Sequence, residues 1–182
     1  QCLESGSPTD SIRNIQTPGG PRPELRPPLE SLDELPFLAR DLLHEQYGVV
    51  HISTQRGCPF PCTYCAARQY HDLYGAANNY GRRRTVGSVM DELAEIQRTS
   101  ELNYVIFLDD TFTIFPTWVE EFCDAYTERF RIPFSVHARA DTVNREMLQQ
   151  IAAAGCRHIV YGVESGSIRV RREIMQRPIS ND

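Results

Sequence analysis

Three cysteines lie close together in the run Gly57-Cys58-Pro59-Phe60-Pro61-Cys62-Thr63-Tyr64-Cys65. The spacing C-x3-C-x2-C brings three thiols onto one short loop, and as thiolates they are metal ligands. Because the loop supplies three ligands rather than four, it predicts a metal centre with one coordination position left open for another molecule. An open position is what distinguishes a reactive metal centre from a structural one.

Other uses of these thiols are less consistent with the sequence. A disulfide between two of them would leave an odd thiol, and the chain has neither an apolar signal segment nor the roughly 20 apolar residues of a membrane span. We therefore expect a cytoplasmic protein whose thiols stay reduced. A structural zinc site would need a fourth ligand, for which His71 is the nearest candidate, and a second paired ligand set is missing from the sequence. The triplet favours an iron–sulfur cluster over zinc and over ordinary core cysteines.

The composition excludes one class of partner. The 182 residues are long enough for one well-packed domain. Because their net charge is −5, the composition does not favour binding of nucleic acid through its phosphates. The one basic run, Arg82-Arg83-Arg84, predicts a solvated loop, with contact to an anionic ligand as the alternative. The isolated Cys123 and Cys156 are expected to be small buried apolar side chains.

Residues 1–30 differ in composition from the rest of the chain. Six prolines and the pair Gly19-Gly20 prevent a helix or a central strand here, and few apolar residues are available for burial, so we predict a linker or an extended arm. Residues 31–48 are expected to form a connecting segment with one helix between Leu38 and Tyr47. Because the chain begins at Gln1 rather than at a methionine, we expect it to be a piece of a longer protein.

From residue 49 onwards, strand-like and helical patterns alternate. Apolar, strand-like runs occupy residues 49–54, 104–108, 133–137 and 158–161, and the second and fourth are continuous enough to predict strands covered on both faces. Apolar stripes at helical spacing fall at 86–96, 119–130 and 147–152. This order predicts an α/β sheet with right-handed parallel crossovers and helices outside.

Polar residues follow each predicted strand, at 55–58, 109–111, 138–141 and 164–167. The C-terminal ends of parallel strands share one face, and active sites of α/β folds are assembled there. The four polar strand ends are therefore expected to converge on the cysteine loop, which favours a barrel.

The chain resembles the radical S-adenosylmethionine (SAM) superfamily. The cysteine motif with an aromatic residue, Tyr64, before its third cysteine is similar to the cluster motif of that superfamily, and the resemblance extends over roughly residues 32–178. Several further segments resemble the subgroup whose barrel follows a cobalamin-binding domain; they are Leu35-Pro36-Phe37, Arg56-Gly57-Cys58-Pro59-Phe60, Arg82-Arg83-Arg84, Phe107-Leu108-Asp109-Asp110-Thr111-Phe112 and Gly162-Val163-Glu164-Ser165-Gly166-Ser167.

The resemblance implies a partial TIM-like barrel, the first four units of a (β/α)6 fold over residues 49–182, with a [4Fe-4S] cluster on its C-terminal face. SAM would chelate the fourth iron. One electron, from a reductant such as flavodoxin or ferredoxin, would cleave SAM to methionine and a 5′-deoxyadenosyl radical. This radical would attack a small-molecule substrate. The expected reaction is cobalamin-dependent methyl transfer or a related C–H functionalisation. A methylthiotransferase without cobalamin is an alternative, and so is a non-catalytic electron carrier or zinc-stabilised scaffold.

The resemblance also implies roles for individual residues. Cys58, Cys62 and Cys65 would hold the cluster, and Tyr64 would lie near the adenine or simply pack on the loop. The residues expected at the nucleotide are Asp109 and Asp110 at the ammonium, Glu164 at the ribose with Ser165 beside it, and Arg139 at the carboxylate of SAM, with loop or surface contacts as the alternatives. Ser135 and His137 would line the substrate cavity or be core residues.

Two parts of the expected enzyme are absent from these residues. No Asp-x-His-x-x-Gly cobalamin signature occurs, so any cobalamin domain is expected upstream. The pattern stops after four units, and an exposed apolar sheet edge is expected at the last strand.

Overall fold

Four parallel strands form the central sheet of the computed structural model, which describes residues 12–42, 46–74 and 81–181. Within these residues the four strands lie side by side in the same order as in the sequence. Their bounds are Val49–Ile52 for β1, Tyr104–Phe107 for β4, Phe134–Ala138 for β5 and Cys156–Tyr161 for β6. Each strand therefore adds beside its predecessor in the sheet, as the predicted crossovers require.

One long helix precedes each new strand of this sheet. Helix α2 spans Val86–Thr99, α3 spans Pro116–Arg129 and α4 spans Arg145–Ala153. Their ends follow local chemistry: the Asn144 side chain accepts a hydrogen bond of 2.8 Å from the backbone N–H of Met147, and Pro116 stands in the first turn of α3. Gly155, with φ of +112°, turns the chain after α4. The alternation of these helices with the parallel strands confirms the predicted α/β class.

Shorter elements surround the cysteine loop. Strands β2 (Gln55–Arg56) and β3 (Arg82–Arg83) pair antiparallel, and helix α1 (Ala66–Tyr74) follows the third cysteine. In the segment between Leu38 and Tyr47, for which one helix is expected, the described residues form short 3-10 helices at Arg40–Leu42 and Gln46–Gly48, and residues 43–45 lie outside the described residues. Near the C-terminal end, the chain forms a π-helix at Val170–Ile174.

An aromatic cluster fills the space between the sheet and α3. Phe107 on β4, Phe122 on α3 and Phe134 on β5 are fully buried, and their rings meet edge to face with centroids 5.2 to 5.8 Å apart. Such edge-to-face contacts add specific geometry to the hydrophobic burial. Cys123 is buried beside them, and Cys156 is half-buried.

The basic run is not the solvated loop that we expected, because Arg83 and Arg84 contact side chains of other elements. The guanidinium of Arg83 lies over the ring of Trp118, with 4.3 Å from its carbon to the ring centroid, and Arg84 forms an ion pair with Glu92 of α2. Glu92, only 3% exposed, also accepts a hydrogen bond of 3.0 Å from Arg40. This buried carboxylate therefore joins the connecting segment to the barrel.

Strand β6 differs from the expected buried strand. Its side chains are mostly exposed, and Val160 is 52% exposed, because no described element covers its outer face. In the described residues β6 pairs only with β5, so an apolar sheet edge is present where the sequence predicted one.

Candidate active site

The three cysteines of the predicted metal loop line one cavity of about 360 Å³ at the C-terminal ends of the strands. We call it the cluster cavity. Cys58 and Cys62 are buried and Cys65 is half-buried. Residues that follow all four strands of the sheet share the lining, among them Asp110, Arg139 and Glu164. The structure thus brings the polar strand ends together around the thiols, as expected for a parallel α/β fold.

Backbone hydrogen bonds hold the cysteine loop in place. Gly57, with φ of +84°, starts the loop in a conformation that favours glycine. Thr63 binds the π-helix, since its N–H donates to the carbonyl of Met175 over 3.0 Å and its hydroxyl to that of Ile174 over 2.7 Å. His71 contacts the carbonyl of Cys58 through Nε2 at 2.6 Å. This nitrogen of the residue weighed as a zinc ligand is therefore engaged with the loop backbone.

Each thiol has a hydrogen-bond donor nearby. Cys62 Sγ accepts from Arg139 Nη1 over 3.4 Å, and Cys65 Sγ accepts from the backbone N–H of Ala67 over 3.5 Å. Cys58 Sγ lies 4.0 Å from the hydroxyl of Thr111. Such contacts orient cluster thiolates and tune the redox potential of the cluster, so this donor set fits an iron–sulfur cluster. Among the described residues, no three metal-ligating side chains are close enough to hold a single metal ion.

Burial opposes ionisation of the Cys58 thiol. Burial raises the pKa of Cys58, although the hydrogen bond from the backbone of Phe60, the contact with the Thr111 hydroxyl and the charge of Arg139 act in the opposite direction. Metal ligation requires the thiolate, so the nearby donors and the positive charge favour the form that a cluster needs.

Arg139 contacts a predicted cluster ligand directly. Besides its bond to Cys62, its Nε and Nη2 donate to the two carboxylate oxygens of Asp141 over 2.9 and 2.8 Å. Its guanidinium carbon lies 3.6 Å from the centroid of the Phe60 ring. Arg139 is only 3% exposed, so its ion pair is not the surface salt bridge considered above. Its guanidinium is already engaged by these partners.

The two adjacent aspartates differ in environment. Asp109 is buried, and its carboxylate accepts hydrogen bonds from the N–H of Thr54 over 2.7 Å, from the N–H of Gln55 over 3.0 Å and from the Thr54 hydroxyl. It therefore ties the end of β4 to the end of β1. Asp110 is exposed and lines the cluster cavity with its neighbour.

Tyr64, Glu164 and Arg177 form one side of the cluster cavity. Burial, which acts most strongly, together with Cys62 and the hydrogen bond with Glu164, raises the pKa of Tyr64 to about 12 against the opposing charge of Arg177, so the phenol stays protonated. Arg177 is buried and donates from Nη2 to the carbonyl of Gly162 over 2.9 Å. Its Nε is buried and has no hydrogen-bond partner among the described residues.

The remaining predicted residues divide between the cavity and its support. His137 lines the cluster cavity, whereas Ser135 and Ser165 are not among its lining residues. The Ser165 hydroxyl accepts a hydrogen bond from the N–H of Ser167 over 3.2 Å within its own turn. Sequence reasoning missed Thr111 and Arg177; the first belongs to a quoted motif, and the second follows an irregular π-helix that no periodicity indicates.

Comparison with known proteins identifies the family. A family model of the radical SAM superfamily matches residues 52–182. The chain belongs to the radical SAM superfamily. It is 28% identical over 157 residues to an uncharacterized methyltransferase of Pyrococcus horikoshii, a match that covers 80% of this chain and 32% of the relative. It is 24% identical over 151 residues to an anaerobic magnesium-protoporphyrin IX monomethyl ester cyclase of Rubrivivax gelatinosus, over 78% of this chain and 26% of that protein.

A solved structure confirms the fold. The structure of the radical SAM methyltransferase TsrM from Kitasatospora setae, with cobalamin and a [4Fe-4S] cluster bound, matches with a TM-score of 0.57 and 20% identity. The match covers 68% of this chain and 24% of that one. The expected partial TIM-like barrel is thus confirmed, and the chain spans a third or less of the length of these proteins. Over the described ranges, no helix has the length and apolar character needed to cross a bilayer.

Proposed function

We propose that this chain is the cluster-binding part of a radical SAM enzyme that functionalises a C–H bond of a small-molecule substrate, by methyl transfer with cobalamin held outside this chain. One observation carries the proposal: three thiols of a single loop and the polar ends of four parallel strands line one cavity. Family membership supports the cluster and SAM. Two of the similar proteins are named as methyltransferases, and the solved structure of one of them has cobalamin bound. These likenesses support methyl transfer as the reaction and cobalamin as the further cofactor.

Cys58, Cys62 and Cys65 would hold three irons and leave the fourth to SAM. When bound, the cluster supplies the single electron, received from flavodoxin or ferredoxin in the cytoplasm, that cleaves SAM to methionine and a 5′-deoxyadenosyl radical. The chain's own contribution is to place SAM and the substrate and to keep the thiolates oriented.

Of the two aspartates, Asp110 is the residue to which we assign binding of the ammonium group of SAM. Its carboxylate is exposed in the cluster cavity, whereas that of Asp109 is already bonded to Thr54 and Gln55. Asp109 would then act indirectly, by holding the strand end from which Asp110 projects. A carboxylate with free acceptor positions is what an ammonium group requires.

The carboxylate of SAM is better matched by Arg177 than by Arg139. Arg139 is engaged by Asp141, Cys62 and Phe60, while Arg177 lines the same cavity with a buried, unpartnered Nε. A buried donor without a partner is rare in folded proteins and is consistent with a ligand that the protein is built to bind.

Glu164 is suited to the ribose, because a carboxylate accepts hydrogen bonds from two neighbouring hydroxyls. The hydrogen bond with Tyr64 would fix its direction, and Tyr64 would then lie beside the nucleoside. Ser165 would support this turn and not the nucleotide. The apolar side chains Leu108 and Val160 line the same cavity and would limit the access of water to a reactive radical.

Anaerobic reconstitution of the protein with iron and sulfide tests this proposal. We expect about four irons and four acid-labile sulfides per chain. Because this fragment alone is expected to be inactive, formation of 5′-deoxyadenosine is expected when SAM and a strong reductant are added to the full-length protein that contains this chain. Cys58→Ala should lower the iron content and abolish SAM cleavage, while Cys156→Ala, which removes a thiol outside the loop, should change neither. Equal iron content in the two variants would reject the ligand assignment, and bound zinc without sulfide would favour the scaffold.

A further inference from the structure

A second cavity, of about 740 Å³, lies between residues 26–35 and the segments that follow β1 and β4. We call it the arm cavity. Leu108 and Asp110 line both the arm cavity and the cluster cavity, so the two are neighbours across the end of β4. A molecule in the arm cavity would therefore reach towards the proposed SAM site.

The charge of the arm cavity is unbalanced. Three arginines line it, Arg26, Arg56 and Arg82, against the single carboxylate of Asp110. None of the three forms a salt bridge with a described residue. Three guanidinium groups around one space attract an anion, and their planar donor sets match carboxylate and phosphate groups.

Arg82 carries a more specific sign of a missing partner. Its Nη1 donates to the carbonyl of Leu29 over 2.5 Å, which ties the arm to strand β3. Its Nε is buried and has no hydrogen-bond partner among the described residues. Since buried donors are almost always satisfied, the guanidinium has capacity for a ligand atom.

Much of the remaining lining is apolar or aromatic, beside the polar side chains of Asn14, Ser53 and Gln55. Leu29 belongs to the arm, Leu32 and Leu35 belong to the connecting segment, and Tyr70 and Tyr74 come from α1. An inorganic ion needs none of this surface. An organic molecule with an anionic group would use both parts of the lining, as ligand pockets do when a few polar groups fix the orientation of an apolar body.

We propose that the arm cavity is the substrate subsite and that the substrate is an organic anion carrying a carboxylate, phosphate or phosphonate group. Arg56 and Arg82 bind this group, and the apolar body lies against Leu29, Leu32 and Leu35. The inference rests on the proposed function, because the reacting carbon would point past Leu108 towards the cluster cavity. It extends that function by naming the class of substrate and the residues that select it.

Fluorine NMR of 4-fluorophenylphosphonate with the full chain tests this inference. We expect saturable broadening of the probe signal and much weaker binding of 4-fluorobenzyl alcohol, a neutral molecule of similar size. Arg56→Gln and Arg82→Gln should each raise the Kd of the phosphonate by about 10-fold, since each removes a charge-assisted hydrogen bond. Arg98→Gln, at an exposed arginine of α2, is the matched control and should leave the Kd within about 2-fold of the unsubstituted protein.

Several outcomes would overturn the inference. They are equal binding of the neutral probe, an unchanged Kd in both cavity variants, and displacement of the phosphonate by hydroxocobalamin, which would assign the cavity to a corrin. Arg82 also donates a hydrogen bond to the carbonyl of Leu29, so its replacement could loosen the arm as well as remove a ligand contact. Among the described residues the side chain of Arg56 has no such bond to the arm, and Arg56→Gln therefore tests the ligand contact alone. Cys58→Ala should lose the cluster and keep phosphonate binding. A protein with intact cluster and SAM cleavage but no phosphonate binding would refute the substrate subsite alone.

Discussion

The contact between Arg139 and Cys62 predicts that this arginine raises the redox potential of the bound cluster. Arg139 Nη1 lies 3.4 Å from the sulfur, and the guanidinium is buried. A positive charge beside a cluster thiolate stabilises the reduced cluster, which carries one more negative charge. Replacement by glutamine removes this charge and keeps a hydrogen-bonding side chain, so we expect the potential of Arg139→Gln to be more negative.

The size of the shift follows from the geometry. Two unit charges about 4 Å apart interact by about 4 kcal/mol at an effective dielectric constant of about 20. The added electron is spread over the cluster and lies further from Arg139 than the sulfur does, and Asp141 at 2.8 Å cancels part of the positive charge. If about a quarter to a third of the interaction remains, it amounts to about 1 to 1.4 kcal/mol, or about 40 to 60 mV for one electron.

An anaerobic redox titration followed by electron paramagnetic resonance, without SAM, measures this potential. Asp141→Asn is the opposing variant, because it removes the negative partner and leaves Arg139 in place, and its potential should rise. Arg139→Lys keeps the charge and should shift the potential less than Arg139→Gln does. A shift of the same sign in Arg139→Gln and Asp141→Asn, or no shift in either, would refute the electrostatic reasoning.

Three further predictions concern the stability of the cluster-free protein, measured by urea unfolding. Glu92→Gln removes the buried partner of two arginines and should lower the free energy of unfolding by about 3 kcal/mol, whereas Glu95→Gln, exposed on the same helix, should change it by less than about 0.5 kcal/mol. Phe122→Ala should cost about 3 to 5 kcal/mol, because it empties the centre of the aromatic cluster; a cost below about 1 kcal/mol would contradict that packing. Burial acts to raise the pKa of Asp141, but hydrogen bonds and charge from Arg139 lower it below its ordinary value. The stability that Asp141 contributes is therefore complete above its pKa of about 4 in the unfolded chain and is lost as pH falls through its lower pKa in the folded protein. The free energy of unfolding of Asp141→Asn should thus differ from that of the unsubstituted protein at pH 7, and the two should converge in acid.

The sequence predicted the parts of the molecule that depend on local spacing. The cysteine loop, the four strands and the helices α2 to α4 were all visible, because ligand spacing, alternation and helical periodicity act within a few residues. The cap that Asn144 forms depends on equally local chemistry. The convergence of the strand ends followed from a general property of parallel sheets.

Partners that are distant in sequence could not be predicted. Arg139 and Cys62 are 77 positions apart, and Asp109 and Thr54 are 55 apart, so no local pattern distinguishes a buried bond from a nucleotide contact. The basic run was misinterpreted because charge runs are usually solvated, while Glu92 and Trp118 lie in other elements. The exposure of β6 depends on what covers it, which the apolar run itself does not specify.

Mössbauer spectroscopy of the anaerobically reconstituted protein, with and without SAM, tests the central claim most directly. The account predicts a [4Fe-4S] cluster in which one iron, not held by Cys58, Cys62 or Cys65, differs from the other three and changes its isomer shift when SAM is added. A cluster with four equivalent irons that do not respond to SAM would contradict it.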